Sequence, residues 1–115
     1  MGRHYEERAA FELEARGWAI VDRNVRFGRR EIDLVIRRQR VVAFVEVKAR
    51  RTLRFGHPLE AITRRKRREI ECVARWWQAR FGRAGDDYRF DAVAIVEDRS
   101  GIRIDHVEGA WRWGE

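Results

Sequence analysis

Hydrophobic and polar positions alternate along the chain in two different rhythms. Over about residues 3–16, Tyr5, Ala9, Ala10 and Leu13 fall three or four apart, the spacing of one helix face, and Gly17 stands where a C′ glycine ends a helix. Trp18-Ala19-Ile20-Val21 predicts a first strand ending near Arg23-Asn24-Val25-Arg26, and Phe27-Gly28-Arg29-Arg30 a turn. Residues 31–36 and 41–48 are short runs rich in Val, Ile and Phe. The polar joint Arg37-Arg38-Gln39-Arg40 is of hairpin length, which predicts two adjacent antiparallel strands. Residues 49–61 contain Gly56 and Pro58, the only proline, and predict an irregular, mobile basic flap. Thr63 is placed as N-cap of a helix over residues 64–81, with Lys66, Ile70, Val73, Ala74, Trp77 and Phe81 on one face and Trp76 beside it, partly exposed. After a loop at residues 82–87, residues 88–96 lack polar alternation and predict a strand buried on both faces, with Asp91 paired to an arginine. Asp98-Arg99-Ser100-Gly101 predicts a hairpin turn, residues 102–107 a last strand, and Trp111 and Trp113 the cover of an edge. The α-β-β-β-α-β-β order predicts an α/β fold, a mixed central sheet flanked by helices, in a single domain over residues 1–115.

Strand parity adds chemistry to the central hairpin. Side chains alternate faces with period two, so Glu31 and Asp33 share one face, as do Glu46 and Lys48. If Ile36 pairs with Val41, Asp33 lies opposite Phe44 and Glu31 opposite Glu46; a shift of two residues keeps all four groups together, and a slip of one separates them. Facing carboxylates repel, and a closed sheet face penalises unpaired charge. Lys48 supplies one positive charge, and Mg²⁺ or Mn²⁺, which prefer hard oxygen ligands, would supply the rest. The competing reading is a solvated polar face with a Lys–Glu pair. Glu6 lies along the buried stripe of the first helix, either as a further acid of the same site or as a carboxylate favoured by the helix dipole; Glu7, Arg8 and Glu14 are placed for solvent.

Composition narrows the partners. Hydrophobic residues at 44% and charged residues at 39% fit a folded chain with a heavily charged surface. A formal net charge of +7 favours a polyanion, nucleic acid before an anionic membrane surface. No apolar stretch approaches the ~20 residues needed to span a bilayer, and the opening residues are no signal peptide, so the expected location is the cytoplasm. Cys72 is the only cysteine and reads as a small core residue; His4, His57 and His106 lack ligand spacing. Of 26 basic residues only Lys48 and Lys66 are lysine, which singles out positions where a compact ammonium serves and a planar guanidinium does not. Arg26, Arg29 and Arg30 before the acidic cluster, and Arg50, Arg51, Arg54, Arg64, Arg65, Lys66, Arg67 and Arg68 after it, are candidates for phosphate contacts.

Asp33, twelve intervening residues and Glu46-Val47-Lys48, after a Glu-bearing first helix, resemble the PD-(D/E)XK, or restriction-endonuclease-like, nucleases. A closer resemblance covers nearly the whole chain: Glu6 with Ala9-Ala10, Arg23-Asn24-Val25-Arg26, Glu31-Ile32-Asp33-Leu34, Phe44-Val45-Glu46-Val47-Lys48, the stretch from Phe55 to Lys66, and Arg89-Phe90-Asp91 before Ala92-Val93-Ala94-Ile95. These segments resemble the YraN-like family of uncharacterised bacterial proteins, which is similar to archaeal Holliday-junction resolvases. The resemblance implies a restriction-endonuclease-like fold in which Asp33 and Glu46 bind Mg²⁺ or Mn²⁺, Lys48 assists the attacking water, and Glu6 or Glu31 completes the site. It implies hydrolysis of phosphodiester bonds in structured DNA, branched or flap, with DNA favoured over RNA and shape over sequence. It also implies a homodimer, for which Trp76, Trp111 and Trp113 are candidate contacts. The alternative is a non-catalytic nucleic-acid-binding module or accessory subunit that keeps the nuclease fold.

Overall fold

The structure is a computed structural model and describes residues 2–51 and 57–115. Helix α1 (Gly2–Ala15) leads to strands β1 (Ala19–Phe27), β2 (Arg30–Arg38) and β3 (Val41–Arg50); a 3-10 turn (Pro58–Ala61) precedes α2 (Arg64–Phe81), and β4 (Asp87–Asp98) and β5 (Gly101–Trp111) follow. The strands form one sheet in sequence order, antiparallel except for the parallel pair β3–β4, which α2 connects. The mixed sheet and the element order expected from the sequence are both present. The basic flap, and Arg54 with it, lie outside the described residues.

Two apolar layers sandwich the sheet. Tyr5, Ala9, Ala10 and Leu13 of α1 pack with Leu34, Ile36, Ala43, Val45, Val93 and Ile95, while Ile70, Val73, Ala74 and Trp77 of α2 pack with Val35, Val42, Phe44, Phe90 and Ala92. Fully burying each Leu, Ile or Phe is worth about 1.5–3 kcal/mol. Gly17 ends α1 at φ 97°, with Trp18 N–H donating to the Leu13 carbonyl at 3.1 Å. Thr63 caps α2, its hydroxyl accepting from Lys66 N–H at 3.2 Å, which fixes the helix start and hence the face on which Lys66 emerges.

Four expectations need correction. Arg38, not Ile36, pairs with Val41, because the turn uses only Gln39 and Arg40; this register is shifted by two residues and preserves parity. Phe81, the last residue of α2, is exposed, whereas Glu71 is buried and accepts from Gly114 N–H. Trp111 covers no edge: β5 extends to it, and it is buried with its ring stacked on Phe90 at 5.2 Å, so it has little surface to offer a dimer partner. Cys72 is half-buried and lines a cavity among arginines rather than the core.

Candidate metal centre and nucleic-acid interface

The β2–β3 ladder stops at Leu34–Val45, yet β2 stays paired with β1 back to Arg30 and β3 with β4 on to Arg50. The two strands therefore diverge into a fork. Continued by one residue, the register sets Asp33 across from Glu46. At that point a side chain replaces the ladder: Asp33 Oδ2 accepts from Val47 N–H at 2.8 Å. A main-chain donor left without its strand partner must be satisfied somehow, and the carboxylate does so while being held inside the fork.

A cavity of about 300 Å³ opens here, lined by Glu6, Asp33, Glu46, Lys48 and Lys66 together with Tyr5, Val47, Ala49 and Arg50. Helix α1 supplies Glu6 because Tyr5 beside it is buried and its hydroxyl donates to Glu97 of β4 at 2.9 Å, anchoring the start of the helix. Glu46 is 2% exposed. Its Oε2 lies 3.3 Å from Lys48 Nζ and 3.7 Å from Lys66 Nζ, and its buried Oε1 has no hydrogen-bond partner among the described residues. Burial, then the neighbouring charge of Glu46 and a hydrogen bond between the two carboxyl groups, push the Asp33 carboxyl up to about 8, against the opposing pull of the Val47 N–H.

Glu6, Glu31 and Asp33 each offer an oxygen within 4.8 Å of the others. Asn24, opposite Asp33 in the register, joins two of them: its amide donates to Glu31 at 3.2 Å and makes a short contact to Glu6. It does so from a left-handed backbone, φ 48°, that Asn tolerates better than most residues. Periodicity assigns Asn24 no role, and its sign in the sequence is an Asn inside an otherwise regular strand.

The acids and Lys48 expected at the site thus come together in two overlapping sets: Glu6, Asp33, Glu46 and Lys48 line one cavity, while the three oxygens within mutual ligand distance are those of Glu6, Glu31 and Asp33, without Glu46. The donor set fits a hard divalent cation: carboxylate oxygens only, with the Asp33 and Glu46 carboxyls close enough to share a proton that a cation would displace. The expected phosphate contacts divide. Arg26 is engaged by Glu31 at 2.8 Å, Lys66 faces Glu46, and Arg67 donates to the Ile62 carbonyl with its guanidinium over Trp111. Arg50 lines the acidic cavity, Arg51 lines a separate one near β5, and Arg29 is exposed at the β1–β2 turn. Arg30, Arg64, Arg65 and Arg68 come together on the outer side of α2.

Comparison with known proteins finds relatives of the same length class. A UPF0102 protein of Chloroherpeton thalassium is 43% identical over 99 residues, 86% of this chain and 77% of that protein. A UPF0102 protein of Beutenbergia cavernae is 42% identical over 107 residues, 91% of each. One of Prosthecochloris aestuarii is 44% identical over 96 residues, 84% of this chain and 76% of its own. With the family model matching residues 5–95 as well, the chain belongs to Uncharacterised protein family UPF0102.

Proposed function

We propose that the protein is a metal-dependent nuclease, hydrolysing phosphodiester bonds in branched or flap DNA. The observation that carries this reading is the fork: Glu46 Oε1 lies buried without a partner beside Asp33, whose carboxyl is pushed up to about 8. A divalent cation seated between them would give the buried Oε1 a partner and favour the ionised form of Asp33.

Asp33 and Glu46, with Glu6 and Glu31, would hold Mg²⁺ or Mn²⁺, which when bound lowers the pKa of a coordinated water and draws charge from the phosphate. The chain's own residues do the rest. Lys48 Nζ, fixed by Glu46 at 3.3 Å, stands at the cavity wall to orient the attacking water and to offset charge growing on the phosphate oxygens. Lys66 adds a second ammonium, and Arg50 closes the cavity on the β3 side. Nothing among these groups reads base edges, so recognition rests on phosphate position and DNA shape.

One observation favours the alternative of a non-catalytic module. Glu46 already has two ammonium neighbours, and Asn24 bridges Glu6 and Glu31, so the cluster is partly compensated within the chain. Incubating the protein with branched, flap and single-stranded DNA in Mn²⁺ or Mg²⁺, alongside Asp33→Ala and Lys48→Ala, separates the two. Cleavage lost in both variants supports the nuclease; cleavage that survives Asp33→Ala sinks it. Binding intact in all three proteins with no wild-type cleavage favours the module.

A further inference from the structure

The β1–β2 turn leans on the outer face of α2. Phe27, the last residue of β1, stacks on Trp76 with ring centroids 5.7 Å apart and planes inclined by 25°. Trp76 meets Phe81 edge-on at 6.1 Å, and the Arg80 guanidinium lies 5.5 Å from the Trp76 ring. Across the same turn Arg30, the ladder partner of Phe27, joins Arg64, Arg65, Arg68, Glu69 and Cys72 around a cavity of about 490 Å³. Residues 65, 68, 69, 72 and 76 recur at the three- and four-residue spacing of one helical stripe. The arginine end and the aromatic end therefore lie along one groove, about 16 Å from position 65 to position 76 at 1.5 Å per residue.

The groove is charged on one side only. Glu69 is the sole carboxylate lining it and is engaged by Arg65 at 3.8 Å. Among the described residues, Arg30, Arg64 and Arg68 have no carboxylate within ion-pair distance. At the other end Phe27 is 41% and Phe81 49% exposed, so ring surface remains available. Guanidinium groups that bind phosphate oxygens, followed by stacked rings, match the chemistry of a polynucleotide strand whose bases are free to splay. In a duplex the bases stack on one another and their faces are hidden, so the aromatic ledge argues for an unpaired strand.

We propose that this groove holds a single-stranded DNA segment, with its phosphates on Arg30, Arg64, Arg65 and Arg68 and a base on the ledge of Phe27, Trp76 and Phe81. The inference rests on the reading of the chain as acting on nucleic acid, and it specifies where the unpaired part of a flap or branch lies. Both elements of the groove also carry residues of the acidic centre: Glu31 follows Arg30 on β2, on the other side of the strand, and Lys66 follows Arg65 on α2.

Cys72 makes the proposal testable, because it is the only cysteine and it lines the groove. The rate of maleimide alkylation of the intact protein is measured in EDTA, where no metal-dependent cleavage takes place, with and without saturating oligothymidylate. The oligonucleotide should slow alkylation, and a duplex of equal length should slow it less. Arg30→Ala and Arg68→Ala should each lower the slope of log affinity against log salt by about 0.7, the value for one phosphate on a single strand. Phe27→Ala should weaken binding about tenfold and leave that slope unchanged; Phe27→Leu, which keeps an apolar contact with Trp76 for folding, should weaken it too. Unchanged alkylation at saturation overturns the groove even if Asp33-dependent cleavage is found, and so does full affinity in a folded Phe27→Leu. Protection that grows with protein concentration alone means that a second copy covers this face, and also overturns it. Protection without cleavage upholds the groove and counts against the nuclease.

Discussion

Lys66, on the first turn of α2, brings its Nζ to 3.7 Å from Oε2 of Glu46 on β3, the same oxygen that Lys48 approaches to 3.3 Å. The only lysines in the chain thus converge on one carboxylate, which ties the start of α2 to the fork and holds the Glu46 side chain in place while its other oxygen points into the buried site. The two should differ in consequence, because Lys48 is on the strand that carries Glu46 and Lys66 reaches it from the helix. In single-turnover cleavage of a flap substrate with Mn²⁺, Lys48→Ala should lower the rate by about 10²–10⁴-fold, as expected for loss of a positioned group acting on the attacking water. Lys66→Ala should lower it less, since Lys48 still holds Glu46. A larger loss in Lys66→Ala than in Lys48→Ala would reverse the roles.

The raised Asp33 carboxyl makes stability depend on pH. An unfolded aspartate titrates near 3.8, whereas Asp33 in the fold is pushed up to about 8 by burial and then by Glu46. Between these values the folded chain holds a proton that the unfolded chain releases, so the stabilising contribution is complete below the unfolded value and is lost as pH rises through the folded one. Without metal, wild type should therefore lose stability relative to Asp33→Asn between about pH 4 and pH 8. Urea denaturation in EDTA across that range reads the difference directly. Adding Mn²⁺ at the alkaline end should recover wild type more than the variant, because a ligand of the ionised folded state stabilises it by mass action. A difference that does not vary with pH would exclude a raised Asp33.

How much of this could be read from the sequence depends on which interaction sets each feature. The carboxylate cluster was legible because strand parity is insensitive to a two-residue register shift, the very shift that separates the expected Ile36–Val41 pairing from the observed Arg38–Val41. Thr63 and Gly17 were legible because caps depend on local geometry. The fork was not, since the divergence of β2 from β3 depends on Asp33 reaching Val47 N–H across the sheet. Lys66 groups with the phosphate-binding arginines in the sequence because its charge shows there and its partner, twenty residues earlier, does not. The burial of Trp111 is hidden in the sequence because the long β5 depends on the polar anchorage at Asp91, which no periodicity reveals.

Asn24 ought to act on metal affinity without itself supplying a charge. Its amide bonds to both Glu6 and Glu31, the two acids that approach Asp33 from α1 and β2, and thereby fixes their separation. Groups that orient ligating side chains are typically worth 10–100-fold in metal affinity, so Asn24→Ala should weaken Mn²⁺ binding by about that factor. Titration calorimetry measures it on the intact protein without a substrate. Asn24→Gly, which keeps the left-handed backbone but removes the amide, should show the same loss. Affinity restored in the Gly variant would assign the effect to backbone strain instead.

The far end of the sheet gives the largest expected loss of stability. Asp91 is fully buried on β4, and its carboxylate accepts from Arg89 Nε and Nη2 at 2.8 and 2.9 Å and from Gly109 N–H at 3.0 Å, with His106 Nε2 at 2.7 Å. The last of the main-chain contacts matters for topology: the β4–β5 register jumps between Ala92–Val107 and Phe90–Trp111, so residues 108–110 bulge outward, and Asp91 satisfies the N–H at the bulge's left-handed glycine, φ 59°. Burial alone would raise this carboxyl; the hydrogen bonds from His106, Arg89 and Gly109 outweigh it and hold it below the usual range. The stability it contributes is therefore present above the ordinary aspartate range and lost as pH falls. Asp91→Ala leaves the buried His106 ring and the Gly109 N–H without their acceptor, while the partly exposed Arg89 keeps Glu108 at 3.2 Å, and it opens the bulge that seats Trp111 on Phe90; each group left unsatisfied costs about 1–3 kcal/mol near neutral pH. Asp91→Asn keeps the shape, still accepts a hydrogen bond and should cost less. Urea denaturation followed by tryptophan fluorescence tests both, and a loss under about 1 kcal/mol for Asp91→Ala would mean that β5 is held by its ladder rather than by this carboxylate.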